Sequence, residues 1–395
     1  MEVVSNVSPM RWIPSLYFAK GMPYVIVMVI SLVLFRQKGM DPATITMLVA
    51  SFYLPWVLKP WWKPRFFRSL DCRSWLLLTE FLLAVAFLAL AFSLGSILLT
   101  FLLFWVIAML NSVHNAAVDS YYRQVLSDEE RSVYRHVREF SRKCSIVVGQ
   151  GIIVMLAGNL QVFYRNNISY SWSLMFYCVS GLFFLFYFWH LYAVPRQRHV
   201  RKFAPASAGP LSRSVALFLL GYGLSYAFLS KVSVLFLLDT SRRGGLGLSP
   251  QEFGLVMGGV GIVALTVGST WGHHVLHRHS WGVMRWLMAS AMLVPGVCYL
   301  LMSLSRPSTL FAIGTMVGLE QLCYGFGFSF YLRLLHLLPG GEWKKSLMAL
   351  MFLIPVFFSG WLQVQLGYPL FFGCACLLGA SAFLAVSNRE IPNTE

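Results

Sequence analysis

The chain has 395 residues, 57% of them hydrophobic and only 12% charged, with 31 Lys and Arg against 15 Asp and Glu for a formal charge of +16. A soluble domain carries about 25% charged residues, so this composition excludes one and points to an all-α integral membrane protein. The basic excess lies in short loops between apolar runs rather than along one soluble face, so the expected partner is the lipid bilayer and not nucleic acid.

Apolar stretches long enough to cross a bilayer, about 20 residues each, occur near 12–35 (span 1), 43–62 (span 2), 74–94 (span 3), 97–122 (span 4), 136–160 (span 5) and 171–194 (span 6). A second set lies near 214–238 (span 7), 251–275 (span 8), 281–304 (span 9), 308–335 (span 10), 345–364 (span 11) and 369–387 (span 12). The run beginning near Trp12 is too long for a signal-peptide core and is expected to remain as a helix. Between the sets, Pro195–Arg213 holds five Lys or Arg, three Pro and no acid. Positive loops are retained on the cytoplasmic side, so this segment reads as a cytoplasmic linker, 195–213, joining an N-terminal half, 1–194, to a C-terminal half, 214–395. Most of the other Lys and Arg fall on the same side when both termini are cytoplasmic, which implies a multi-pass protein with both ends cytoplasmic.

The two sets are related. Gly21-Met22-Pro23-Tyr24 in span 1 aligns with Gly223-Leu224-Ser225-Tyr226 in span 7, and Gly39-Met40-Asp41-Pro42 with Gly247-Leu248-Ser249-Pro250. Asp41 and Ser249 are each expected to cap the following helix, with Pro at its first position and Glu252 completing a capping box. Two related six-helix halves imply the major facilitator fold: 12 transmembrane helices in pseudo-symmetric halves, with a substrate site at mid-depth.

Ionisable groups in hydrocarbon are costly and mark function or pairing; here they are Lys20, Glu80, Asp119, Lys231 and Glu320. In span 4, Asn111, Asn115 and Asp119 recur every fourth residue and form one stripe with His114 beside it. The stripe reads as a cavity wall bearing a titratable carboxylate, or as a polar seam between helices. His114 and Asp119 also spell His-x4-Asp, a spacing known from acyltransferases, but residues five apart diverge by about 140° on a straight helix. In span 10, Glu320, Tyr324 and Tyr331 share a face with Gln321 beside it, and Glu320 is a candidate proton carrier, as is Asp119. Lys20 and Lys231 either attract an anionic substrate or pair with these carboxylates. Tyr17 and Tyr24 on span 1, and Tyr226 at the position equivalent to Tyr24, are candidate platforms for a sugar ring. His273, His274, His277 and His279 suggest a solvated interface more than a metal site, and the seven Cys lie mostly inside apolar runs, so neither a metal nor a disulfide frame is expected.

Several stretches, taken together, resemble one family. They are Phe18-Ala19-Lys20-Gly21-Met22-Pro23-Tyr24, Tyr53-Leu54-Pro55-Trp56-Val57-Leu58-Lys59-Pro60-Trp61, Asp119 with Glu130-Arg131, Arg142 with Gly149-Gln150-Gly151, Gly244-Gly245-Leu246-Gly247-Leu248-Ser249, and Glu320-Gln321 with Tyr324-Gly325-Phe326-Gly327. In these the chain is similar to the muropeptide permeases of the AmpG type, which are related to the acetyl-coenzyme A transporters. The resemblance implies a monomeric permease of the inner membrane that is not an enzyme, needs no cofactor beyond the proton gradient, and imports anhydromuropeptides by proton symport during peptidoglycan recycling. It implies a small-molecule glycopeptide as substrate, for which the polar and aromatic residues singled out above are the candidate ligands: Tyr17, Lys20, Tyr24, Asn111, His114, Asn115, Tyr226, Lys231, Gln321 and Tyr324, with Asp119 and Glu320 as candidate proton carriers. Alternatives are carriage of another bulky anion such as a coenzyme A thioester, a membrane acyltransferase, and a sensor that moves no cargo. Tyr24 and Tyr226 are expected to line one central cavity with the span 4 stripe and Glu320.

Overall fold

The computed structural model describes residues 8–67, 70–196, 213–279, 281–337 and 341–387. Over these residues the chain is helical, interrupted by short turns. A helix satisfies its own backbone N–H and C=O groups, which lipid cannot do, so apolar runs of this length adopt it. Among the described residues nine helices are long and apolar enough to cross a membrane. Eight of them are span 1 (Pro9–Gln37), span 3 (Cys72–Ser93), span 4 (Ile97–Val125), span 5 (Arg135–Phe163), span 6 (Ile168–Ala193), span 7 (Ala216–Leu238), span 8 (Pro250–Arg278) and span 9 (Gly282–Ser305). The ninth, Gly341–Leu384, is two spans, because Gly367 at φ 72° and ψ 168° breaks it into span 11 (341–366) and span 12 (368–384). Span 10 is the 28-residue helix Leu310–Leu337, and span 2 is the shorter apolar helix Pro42–Val57. The segments thus follow the order expected from hydropathy.

Several predicted spans are not single helices: span 9 breaks at Met292-Leu293 and span 12 at Gly379, and spans 2 and 7 break more sharply. Span 2, expected over 43–62, turns at Phe52 and Tyr53, and a separate helix starts at Lys59. Pro55 and Pro60 cannot donate to a helical ladder, and proline clashes with the preceding turn. Span 7, expected as one run, is Arg213–Gly221, Leu224–Leu229 and Val232–Leu238, interrupted at Tyr222-Gly223 and again at Ser230-Lys231. Three other spans widen locally into π-helix, at Ile26–Ile30, Val147–Ile153 and Gly254–Gly261. Such segments are uncommon and tend to sit at functional sites.

The repeated turns form as the sequence predicts. The Asp41 carboxylate accepts the Thr44 N–H at 2.9 Å, and Ser249 and Glu252 satisfy each other's backbone in a capping box, each behind a first-turn proline. Gly39 and Gly247 precede these caps at φ +83° and +73°, so both hairpins turn the same way.

By contact the chain forms two compact units, Met1–Ser31 with Leu58–Pro205, and Leu32–Val57 with Ala206–Glu395. Of the linker expected at 195–213, residues 197–212 lie outside the described residues. In the first unit span 1 packs on spans 4, 5 and 6, and span 3 on spans 4 and 6, around Trp12, Leu16, Tyr17, Leu76, Tyr121 and Tyr122. In the second, span 8 packs on span 10, and the Pro42–Ser51 helix of span 2 lies on span 11, where Gly360 N–H donates to Thr46 Oγ1 at 3.2 Å. Lipid tails are as apolar as side chains, so close packing, not water exclusion, holds such helices together. Spans 8 and 10 show this: a Cβ on Gly268 would fall 2.0 Å from Leu322 O, and one on Gly325 would fall 2.5 Å from Leu265 O. Gly325 therefore serves a neighbouring backbone.

Candidate functional site: a charged cluster in one unit, an aromatic stack in the other

In the first unit the Lys20 ammonium pairs with the Asp119 carboxylate, both half-buried. Lys20 is held on span 1 by the close approach of span 5, where a Cβ on Gly21 would fall 2.0 Å from Ser145 Oγ. The ammonium also lies 5.0 Å from the centre of the Tyr17 ring. Arg138, in the first turn of span 5, places its guanidinium 5.7 Å from the Tyr17 ring and 5.4 Å from Tyr122, and those rings meet edge to face at 5.5 Å. Glu139 accepts from Arg138 at 3.2 Å and from Arg142 at 3.1 Å. The cluster thus holds three cations, two carboxylates and two phenol rings on spans 1, 4 and 5.

Within the same unit, the Tyr17 hydroxyl, both polar atoms of the Asn111 side chain and Oδ1 of Asn115 are buried without a hydrogen-bond partner among the described residues. Buried polar atoms are nearly always paired, so orphans grouped beside an ion pair point to a ligand or water. Tyr24 is 39% exposed. His114 lies fully buried, its Nδ1 2.9 Å from Thr79 Oγ1 on span 3. Span 4 is continuous from Ile97 to Val125, and His114 and Asp119 engage different partners, so the acyl-transfer dyad is not assembled.

In the second unit Glu320 is buried, and its Oε1 accepts from Gln321 Nε2 at 3.1 Å, while Oε2 has no hydrogen-bond partner among the described residues. The same Gln321 amide lies 3.4 Å from the Tyr226 hydroxyl. Tyr226 stacks on Tyr324 with centroids 3.4 Å apart, and the ladder continues to Phe328 at 5.1 Å and Tyr331 at 4.8 Å. The π-segment of span 8 runs past this point, with an ideal Cβ on Gly261 lying 3.5 Å from Gln321 Cγ. Lys231 is buried at the second interruption of span 7. Of the surface histidines, His273 and His277 approach at 3.3 Å, and Arg333 donates to His277 at 2.8 Å. No group of His, Cys, Asp and Glu suited to a metal occurs among the described residues.

Several participants escape a reading of the sequence. Arg138 and Glu139 sit in Arg-His-Val-Arg-Glu-Phe-Ser-Arg-Lys, at the charged start of span 5 in the helix Arg135–Ile146. The i, i+3 spacing of Glu139 and Arg142 was the available signal. Asp239 is likewise unforeseen: it pairs with Arg36 and accepts from the Tyr368 hydroxyl at 2.7 Å, and Arg36 also donates to Met40 O at 2.7 Å.

Two solved structures share this architecture at 12% sequence identity. One is a bacterial homologue of the human lysosomal transporter Spinster, in an inward-facing and unoccupied conformation, with a TM-score of 0.65 over 97% of this chain and 95% of that one. The other is a D-xylose–proton symporter, with a TM-score of 0.67 over 98% of each chain. The chain has the major facilitator fold. Among curated proteins it is similar to the anhydromuropeptide permeases of Escherichia coli strains K12 and O157:H7, each 25% identical over 299 residues. That match takes in 71% of this chain and 56% of each relative, so the chain spans about half the length of the curated relatives it matches. These proteins are permeases or transporters and not enzymes. No family model matches the sequence.

Proposed function

We propose that the chain is a secondary transporter that imports anhydromuropeptides, glycopeptides released in cell-wall turnover, in symport with protons. The observation that carries this reading is the first unit's cluster, in which Lys20 and Arg138 lie over two phenol rings, Arg142 joins Arg138 through Glu139, and polar atoms of Tyr17, Asn111 and Asn115 are orphaned in the same unit. Cations suit the carboxylates of such a cargo, ring faces suit its sugars, and orphaned amides suit its hydroxyl and peptide groups. The similarity to anhydromuropeptide permeases supports the same cargo. In this reading Asp119 and Glu320 are the proton-carrying carboxylates, and Tyr24, Tyr226, Lys231, Gln321 and Tyr324 contribute to substrate binding. The protein is taken as a monomer in the inner membrane with both ends cytoplasmic, because its basic loops fall on that side.

Uptake by right-side-out vesicles tests this. Labelled GlcNAc-anhydroMurNAc peptide should accumulate under an inward proton gradient, and a protonophore should abolish accumulation. Uptake of labelled acetyl-coenzyme A in its place would overturn the cargo. Binding without accumulation under any gradient would overturn transport itself.

A further inference from the structure

Behind the Lys20–Asp119 pair, at the junction of spans 1, 3, 4 and 6, lies a second set of titratable groups, of which Glu80 and His190 have no part in the transport reading and His114 is expected from the sequence only to bind substrate. Glu80 on span 3, His114 on span 4 and His190 on span 6 are each 0% exposed. Glu80 Oε1 is 2.8 Å from His190 Nδ1 and 4.0 Å from His114 Nε2. Glu80 Oε2 and His114 Nε2 have no hydrogen-bond partner among the described residues. A buried carboxylate facing two imidazoles is far costlier in hydrocarbon than the Ser, Thr or Asn that usually join membrane helices.

The surrounding hydroxyls fix where the protons are. Ser15 Oγ is 3.3 Å from Trp12 O, to which it donates, and 2.9 Å from His190 Nε2, from which it then accepts. His190 therefore carries a hydrogen on Nε2, and the contact between its Nδ1 and Glu80 holds one further proton between imidazole and carboxyl. Thr79 Oγ1 donates to Trp75 O at 2.7 Å and so accepts from His114 Nδ1 at 2.9 Å. His114 then has a bare lone pair on Nε2. It faces Glu80 about 1 Å beyond hydrogen-bonding reach.

We propose that Glu80, His114 and His190 form a second proton-binding site, in which a proton taken from water onto His114 Nε2 is received by the Glu80 carboxylate. Glu80 then bridges two N–H donors, one from each imidazole, and the cluster passes from neutral to singly positive. The hydroxyls that touch it are Ser15 on span 1 and Thr79 on span 3, and the charged side chains near His114 from outside it are Lys20 on span 1 and Asp119 on span 4. Loading the site adds a positive charge to the unit that holds the Lys20–Asp119 pair. This assignment does not depend on what the protein carries.

The test is nitrogen NMR of histidine side chains in the full chain, held in lipid nanodiscs and titrated from alkaline to acid pH. Val113-His114 and Trp189-His190 are dipeptides that occur once each in the sequence, so selective labelling assigns both rings without mutation. At alkaline pH His114 should appear as the Nδ1–H tautomer and His190 with a hydrogen on Nε2; acidification should turn His114 into imidazolium. In Glu80→Gln the imidazolium population at a given pH should fall about tenfold or more, the effect of losing a nearby opposite charge. His114→Asn, which keeps a donor toward Thr79, should fold and lose the proton. The opposite tautomer at His114, or a neutral ring throughout the titration, would overturn the proposal on the wild-type protein alone. An unchanged titration in Glu80→Gln would remove Glu80 from it.

Discussion

The first unit gathers charges around Tyr17 and Tyr122, and the second gathers aromatic rings beside Glu320. Lys20, Asp119, Arg138, Glu139 and Arg142 make a chain of opposite charges around Tyr17 and Tyr122, whereas the equivalent region of the second unit sets one carboxylate, Glu320, beside a ladder of stacked rings. The turns before spans 2 and 8 match, with caps at Asp41 and Ser249. The difference teaches that matching hairpins do not dictate matching interiors. Electrostatics is long in reach and sensitive to salt, and stacking is short in reach and indifferent to it.

The largest effect should come from Glu320, the carboxylate beside the stacked rings. Glu320→Gln keeps size and hydrogen bonding but removes a proton site, so accumulation in vesicles should vanish while counterflow exchange persists. Full accumulation with unchanged pH dependence would take Glu320 out of coupling and leave Asp119 as the carrier. Next, Lys20→Met should lower uptake about a hundredfold, losing a charge-assisted bond and leaving Asp119 uncompensated. Adding Asp119→Asn should restore protein abundance but not uptake; recovery of both would make the pair purely structural. A smaller loss, about tenfold, is expected for Tyr324→Leu, which removes a stacking face but little volume. Its binding defect should be the same at low and high salt, whereas that of Arg138→Gln should shrink as salt rises. If both respond alike to salt, the contrast between the units fails.

How much of this was legible beforehand depends on how local the signal is. The spans and the caps at Asp41 and Ser249 follow from runs of neighbouring residues, and they stand where hydropathy and capping rules put them. Lys20 and Asp119 were visible as costly residues, but their pairing joins positions 99 apart, which no periodicity encodes. Glu80 and His190 are 110 apart, and His190 looks in sequence like an ordinary helix-end histidine. The interruptions of span 7 at Gly223 and Ser230 were hidden too, since the hydropathy of the run is unbroken.

The smallest predicted effect concerns stability alone. Bonds from the Thr44 hydroxyl and then its N–H hold the Asp41 carboxyl below its usual value of 3.8. Its folded pKa is thus depressed, so the stability it adds is present above the unfolded value and lost as pH falls through the folded one, below about pH 4. Asp41→Ala should cost about 1 kcal/mol at neutral pH, read as a shift in thermal unfolding, and should flatten the acid limb. Uptake per folded molecule should not change.

Two glycines near Asp239 fail differently when replaced. A Cβ on Gly245 would fall 2.3 Å from Asp239 O, so tolerance there is a question of space. At Gly367 a Cβ meets nothing within 4 Å, yet φ is +72° and ψ 168°, a region that only an achiral residue enters without strain. Tyr368, the next residue, is aimed by that turn so that its hydroxyl reaches Asp239. Whether a carboxylate at the end of span 7 is fully satisfied therefore hangs on the handedness of a residue between spans 11 and 12. A saturation scan should show every substitution at Gly367 failing to a similar degree, Ala as badly as Trp, and a chemically inserted D-alanine should be tolerated where L-alanine is not.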